Sequence, residues 1–163
     1  MWEAILPCKH TELVSGGMIV GSYTYGRGQG LNGLRVGIAR QVPRGVRKED
    51  YVPGGYFDVW LPVLAPSAEL VRGYQRGEYS IAQFFRRYRD EMRQPDARHV
   101  IALLAATSIR LPLHLGCFCD DESRCHRSVL RELVIEALEE LPPAHGESGG
   151  CASPPCSMPE LEE

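Results

Sequence analysis

"LPLHLGCFCDDESRCHRSVLRELVIEALEEL", residues 111–141, is the stretch that sets the fold. It opens on a short apolar run, "LPLHLGCF", bounded by a proline and a glycine, which reads as a buried strand. It closes on apolar residues at helical spacing. Leu130, Leu133, Val134, Ala137, Leu138 and Leu141 fall on one face, and Arg131, Glu132, Glu136 and Glu139 on the other. Between them lies a polar turn holding three cysteines, a histidine and three successive acids. Strand, loop, helix in that order is the building unit of α/β proteins.

The same alternation extends back along the chain. "MIVGSY" (Met18–Tyr23) and "LRVGIARQ" (Leu34–Gln41) are β-branched runs bounded by glycine, hence strands. An irregular stretch rich in Pro, Gly and aromatics follows, with a short strand at Phe57–Trp60. Ser67 caps a short helix, and Ser80 caps a longer one over Ser80–Met92 with Ile81, Phe84, Phe85 and Tyr88 on its stripe. A third helix covers Asp96–Thr107, burying Val100, Leu103 and Leu104. These elements predict one three-layer Rossmann-like α/β domain over residues 17–141, a small central sheet flanked by helices. Residues 1–16 form an N-terminal extension. Residues 142–163, rich in Pro, Gly and Ser, form a tail expected to be disordered. Only ten residues, Thr24–Gly33, join the first two strands. Parallel crossovers usually take a dozen or more, so the relative direction of that pair stays open. If it is antiparallel, Tyr23 and Arg40 lie at opposite edges.

At 163 residues the chain suits one domain with a proper core. No run approaches ~18 apolar residues, so no membrane-spanning helix is expected. The N-terminus lacks the pattern of a secretory signal, which makes the cytoplasm the expected location. Reduced thiols follow for the six cysteines, Cys8, Cys117, Cys119, Cys125, Cys151 and Cys156. The formal charge of −3 hides an asymmetry, because residues 142–163 carry four glutamates and no Lys or Arg. The remainder is nearly neutral, which excludes the broad basic surface of an indiscriminate nucleic-acid binder.

Residues 28–33, "GQGLNG", match the dinucleotide fingerprint in letters only. That fingerprint needs a helix behind it to receive the pyrophosphate, and a strand follows instead. His99 and His114 are read as structural or incidental, and the tail pair Cys151 and Cys156 as incidental exposed thiols.

Three readings of Gly116–Ser128 compete with a fourth, a polar turn with buried structural cysteines. As a metal site it offers Cys117, Cys119, Cys125 and His126. Cys117 and Cys119 point the same way if the strand stays extended, but Cys125 and His126, as neighbours at a helix start, are expected to diverge. As a reactive thiol it offers Cys125 in the first helical turn, where unpaired amides and the dipole favour an anion, with His126 and Arg127 adding charge. Asp120, Asp121 and Glu122 oppose that effect. As an anion pocket it offers the helix amides with Arg127 and His126.

The elements "SY" (Ser22–Tyr23), "IARQVPRG" (Arg40, Pro43, Arg44), "LAPSAEL", "FFRRYRDEM" and "LGCFC…CHRSVL" run in register from about Met18 to Leu141. In these the chain resembles the bacterial, archaeal and phage proteins of domain of unknown function family 488. The resemblance implies an α/β domain with its marked residues at one edge of the sheet, and implies no activity. The position of Cys119 is usually acidic in such sequences. A carboxylate partner for the Cys-His-Arg turn is then missing here, or supplied by Asp120 or Asp121, and the zinc alternative is weakened.

Ligands of open α/β sheets lie beyond the carboxyl ends of the strands. The expected function is therefore binding of a small anionic ligand, of nucleotide or nucleic-acid origin, by a thiol-dependent enzyme of unknown reaction. Cys125 is its nucleophile and His126 the proton partner. Arg127, Arg40, Arg44, Tyr23 and Ser22 complete the ligand site. No cofactor and no membrane partner is expected. The alternatives are a non-catalytic phosphate or nucleic-acid binding module and a structural zinc module.

Overall fold

The computed structural model describes residues 13–14 and 18–142. Five strands form one sheet: β1 (Leu13–Val14), β2 (Met18–Thr24), β3 (Leu34–Gly37), β4 (Val59–Trp60) and β5 (Leu113–Cys117). Their spatial order is β1-β2-β5-β3-β4. β1 pairs antiparallel with β2 at one edge, so the segment expected to lie outside the domain contributes to its sheet. The other pairings are all parallel. Four helices, α1 (Ala68–Gln75), α2 (Ile81–Glu91), α3 (Pro95–Ser108) and α4 (His126–Glu139), complete the α/β class. No helix of the described residues is long and apolar enough to cross a membrane.

The direction of the first two long strands is settled by β5, which slots between β2 and β3 and runs parallel to both. The connection over residues 25–33 carries no helix. It suffices because β3 is short. Nine extended residues reach roughly 30 Å, whereas four strand residues rise about 13 Å and two strand spacings add about 10 Å. The loop is held on the sheet by Gly26 and Gly28 amides donating to the Gly55 carbonyl, 3.1 Å each, and by Arg35 donating to the Gly28 carbonyl.

Alternation along β5 puts Leu113, Leu115 and Cys117 on one face and His114 and Gly116 on the other. The first face takes α3 and α4. Val129, Leu130, Val134 and Leu138 of α4 are buried against the core there. Each such side chain contributes about 1.5–3 kcal/mol. The second face is closed by the connections themselves. A methyl on Gly116 would sit 2.4 Å from Tyr23 Cζ, and one on Gly37 would sit 2.6 Å from the Tyr25 hydroxyl. Glycine is what lets these rings lie flat on the sheet. His114 is bonded to the Asn32 carbonyl on this face, a structural histidine as expected.

The helix starts follow their sequence signals. Ser67 accepts from the Leu70 amide, and Ser80 forms a reciprocal capping box with Gln83. Two expectations are corrected. The second long strand ends at Gly37 rather than Gln41, because its partner β5 ends at Cys117 and supplies one last bond, from the Ile38 amide to the Gly116 carbonyl. Leu103 is exposed, since the buried stripe of α3 runs through Ala97, Ile101, Leu104, Ala105 and Ser108 and leaves it on the far side. The tail and the cysteines Cys8, Cys151 and Cys156 lie outside the described residues.

Candidate functional site

β5 ends at Cys117, and the chain stays extended long enough for Cys119 to turn back to the same side. The two sulfurs are 3.9 Å apart, which is the strand period of two made visible. Thr24 at the end of β2 fixes this segment by donating to the Cys119 carbonyl. The acids then build a turn. Asp121 accepts from the Ser123 amide at 2.9 Å and its hydroxyl at 2.6 Å. A short 3-10 turn, Glu122–Arg124, delivers Cys125 as the N-cap of α4. Asp120 is exposed and faces Arg27 at 3.8 Å. The Asp121 carboxylate is engaged by Ser123, and Asp120 meets the Cys-His-Arg turn through its backbone carbonyl, which accepts from Arg127.

Cys125 has extended backbone angles, whereas His126 is already helical. Instead of diverging, their side chains close on each other, with Cys125 Sγ 3.8 Å from His126 Nδ1. The ligand-bearing atoms of Cys117, Cys125 and His126 all lie within 4.8 Å of one another, and all three residues are buried. On the other side of the imidazole, Nε2 lies 3.2 Å from the Ile38 carbonyl just beyond β3. A carbonyl only accepts, so Nε2 carries the proton and Nδ1 presents its lone pair to the sulfurs. Tyr88 of α2 packs edge-on against the ring, its centroid 5.2 Å away, and donates its hydroxyl to the Leu64 carbonyl.

Burial and the mutual contacts of the thiols shift these groups. Burial pushes the His126 imidazole down from its ordinary value, keeping it neutral. Cys125 is driven up, first by its thiol neighbours Cys117 and Cys119 and then by burial, while the Arg127 amide pulls the other way. Cys117 is also raised, Cys119 being the largest cause. Cys119, the exposed member, is held well below the ordinary thiol value by hydrogen bonds from Cys117 and Cys125, aided by His126 and Arg127.

This cluster floors a cavity of about 320 Å³ beyond the carboxyl ends of β3 and β5. Val71 and Tyr74 of α1 and Phe84 of α2 supply its walls, and Arg40 and Arg124 stand among its lining residues. Arg40 is oriented by two bonds to the Pro66 carbonyl, at 3.0 and 2.7 Å. Arg124 is oriented by the Tyr74 hydroxyl at 3.3 Å. A larger cavity of about 440 Å³ lies along α1 and α2, but its charged residues are Glu69, Arg87, Asp90 and Glu91, with no thiol or imidazole. The smaller cavity is the one that gathers the thiols and the imidazole.

Of the residues singled out in the sequence, Cys117, Cys119, Cys125, His126 and Arg40 meet here. Arg127 does not line the cavity. It is buried toward the sheet, where Nη1 donates to the Tyr23 carbonyl and to Thr24 Oγ1, and Nη2 donates to the Asp120 carbonyl at 3.3 Å. Tyr23 lies on the opposite face and donates to the Tyr56 carbonyl, with burial pushing its phenol up. Ser22 is half-buried within β2, and Arg44 is exposed beside Gln41; neither lines the cavity. Arg124, Tyr74 and Val71 were the residues missed. Their only sequence signal was adjacency to Cys125 and the i, i+3 spacing of Val71 and Tyr74 on α1.

An open sheet with four parallel strands, β2 to β5, and a thiol–imidazole pocket at their carboxyl edge defines the class, an α/β domain of the Rossmann-like kind. The chain belongs to domain of unknown function family 488: residues 20–138 match the family described as the Active DUF488-N3 subclade. No curated protein and no solved structure matches the chain.

Proposed function

We propose that the chain binds a small anionic ligand of nucleotide or nucleic-acid origin in the 320 Å³ cavity and acts on it as a thiol-dependent enzyme. The observation that carries this reading is the meeting in one cavity of Cys125, His126 and two arginines from separate segments. Arg40 and Arg124 supply positive charge for a phosphate. Tyr74 and Phe84, with ring centroids 5.1 Å apart, offer an aromatic wall for a base. His126 Nδ1 is the acceptor for the Cys125 proton, the arrangement of a base-activated nucleophile. The alternative is a non-catalytic binding module, favoured by the neighbouring thiols and the burial that push the Cys125 thiol up.

Calorimetric titration with nucleoside monophosphates and diphosphates tests the binding. Removing one phosphate-facing arginine, in Arg124→Ala or Arg40→Ala, is expected to weaken affinity about tenfold or more. Unchanged affinity in both variants would remove the ligand assignment. Alkylation of Cys125 that a bound nucleotide slows supports the enzyme. A Cys125 inert at every pH, with binding intact, leaves the binding module.

A further inference from the structure

Cys117, Cys125 and His126 are arranged as metal ligands are. Their donor atoms converge within 4.8 Å from three directions, the end of β5, the N-cap of α4 and its first turn. A tetrahedral zinc site has Zn–S near 2.3 Å and Zn–N near 2.0 Å, which places sulfurs about 3.8 Å apart and sulfur from nitrogen about 3.5 Å. The separations here are 3.9 Å for Cys117–Cys119 and 3.8 Å for Cys125–His126. A ligating histidine almost always donates its other N–H to a carbonyl or carboxylate, which fixes the tautomer. His126 Nε2 against the Ile38 carbonyl is that partner.

We propose that Cys117, Cys125 and His126 bind a thiophilic divalent cation, zinc in the first instance, with Cys119 closing the tetrahedron from the cavity side. Soft sulfur donors and an imidazole select zinc over magnesium or calcium, which take oxygen. Charge supports the assignment. Three thiolates around Zn²⁺ leave one net negative charge, and Arg127, in the first turn of the same helix, is a buried cation whose hydrogen-bond acceptors are all neutral. Because Cys119 is exposed while the other three ligands are buried, it is the ligand that an incoming molecule displaces. A coordinating thiol is deprotonated outright, so in the metal-bound chain the cation takes the place of the Cys125 proton and occupies His126 Nδ1, and the base-activated thiol–imidazole pair belongs to the metal-free chain. The site does not depend on the anionic ligand and stands if that reading fails.

The full chain carrying Cys8→Ser, Cys151→Ser and Cys156→Ser is purified without chelator, its metal content measured, and the metal-free form titrated with Co²⁺. The expected result is one zinc per chain, and with Co²⁺ a near-ultraviolet thiolate charge-transfer band together with intense tetrahedral bands in the visible. Cys119→Ser is expected to keep one metal with affinity reduced at least about tenfold, while Cys125→Ser and His126→Ala lose the cobalt spectrum. Trace zinc and no charge-transfer band, in a chain whose circular dichroism shows it folded, overturns the site. An unchanged affinity in Cys119→Ser overturns Cys119 as fourth ligand. Nucleotide titration of the same metal-free chain reads the ligand pocket separately.

Discussion

Arg127 gives the sharpest test of how the site is held. The residue is 2 % exposed, yet it carries a charge. Its two terminal nitrogens span from the end of β2, at Tyr23 and Thr24, to the turn after β5, at Asp120. Arg127→Lys keeps the charge and loses the fork, since a single ammonium cannot serve two carbonyls on opposite sides of the planar group. At least one hydrogen bond to a charged donor is lost, about 1.5–3 kcal/mol, and if the lysine gives up the buried Tyr23 carbonyl rather than the exposed Asp120 one, that acceptor is left unsatisfied for about 1–3 kcal/mol more. A net loss of about 3 kcal/mol is a large share of a total stability of roughly 5–15 kcal/mol. With a urea slope of about 2 kcal/mol/M it lowers the unfolding midpoint by about 1.5 M. Urea titration followed by circular dichroism, on both chains at one pH, reads this directly. A midpoint within about 0.2 M of the parent at equal slope would show that the guanidinium is not what joins the strand ends.

Tyr88→Phe removes the 2.6 Å bond to the buried Leu64 carbonyl and keeps the ring on His126, so about 1–3 kcal/mol of stability is lost in the same denaturation assay. An unaltered midpoint counts against that bond. Gly116→Ala drives a methyl into Tyr23, whose hydroxyl is anchored on Tyr56, and is expected to cost about 1–3 kcal/mol or fail to accumulate. Wild-type stability there shows that the ring is free to move. The Asp58 carboxyl is held below its ordinary value by the Arg35 guanidinium, 2.6 Å away. Its contribution is therefore full above the unfolded carboxylate range near pH 4 and lost as pH falls through its folded value. Asp58→Asn is expected to be less stable than the parent at pH 7, with the gap closing in acid; a gap constant with pH contradicts the ion pair.

Much of the frame was legible in the chain. The serine caps at Ser67 and Ser80, the amphipathic repeat of α4 and the apolar run of β5 are local patterns, and local patterns are what a sequence displays. Period two puts Cys117 and Cys119 on one side, as their 3.9 Å sulfur separation shows. The neighbours at the helix start were harder. Cys125 and His126 converge because one is extended and the other helical, a change of backbone angle at a single residue boundary that spacing alone does not reveal. Arg124 lines the cavity and Arg127 does not, for a related reason. The 3-10 turn aims Arg124 outward to Tyr74, while the first turn of α4 sends Arg127 inward.

By itself, then, the sequence determined the α/β alternation, the strand that ends in Cys117 and the helix that starts after it, because hydrophobic period and capping act within a few residues. The tertiary structure alone decided that β5 lies between β2 and β3 and that all three run parallel. It alone placed Arg40 with Arg124, and Tyr23 on the opposite face. Those outcomes depend on which strand takes the middle of the sheet, a choice fixed by burial of β5 on both faces rather than by any residue's own preference.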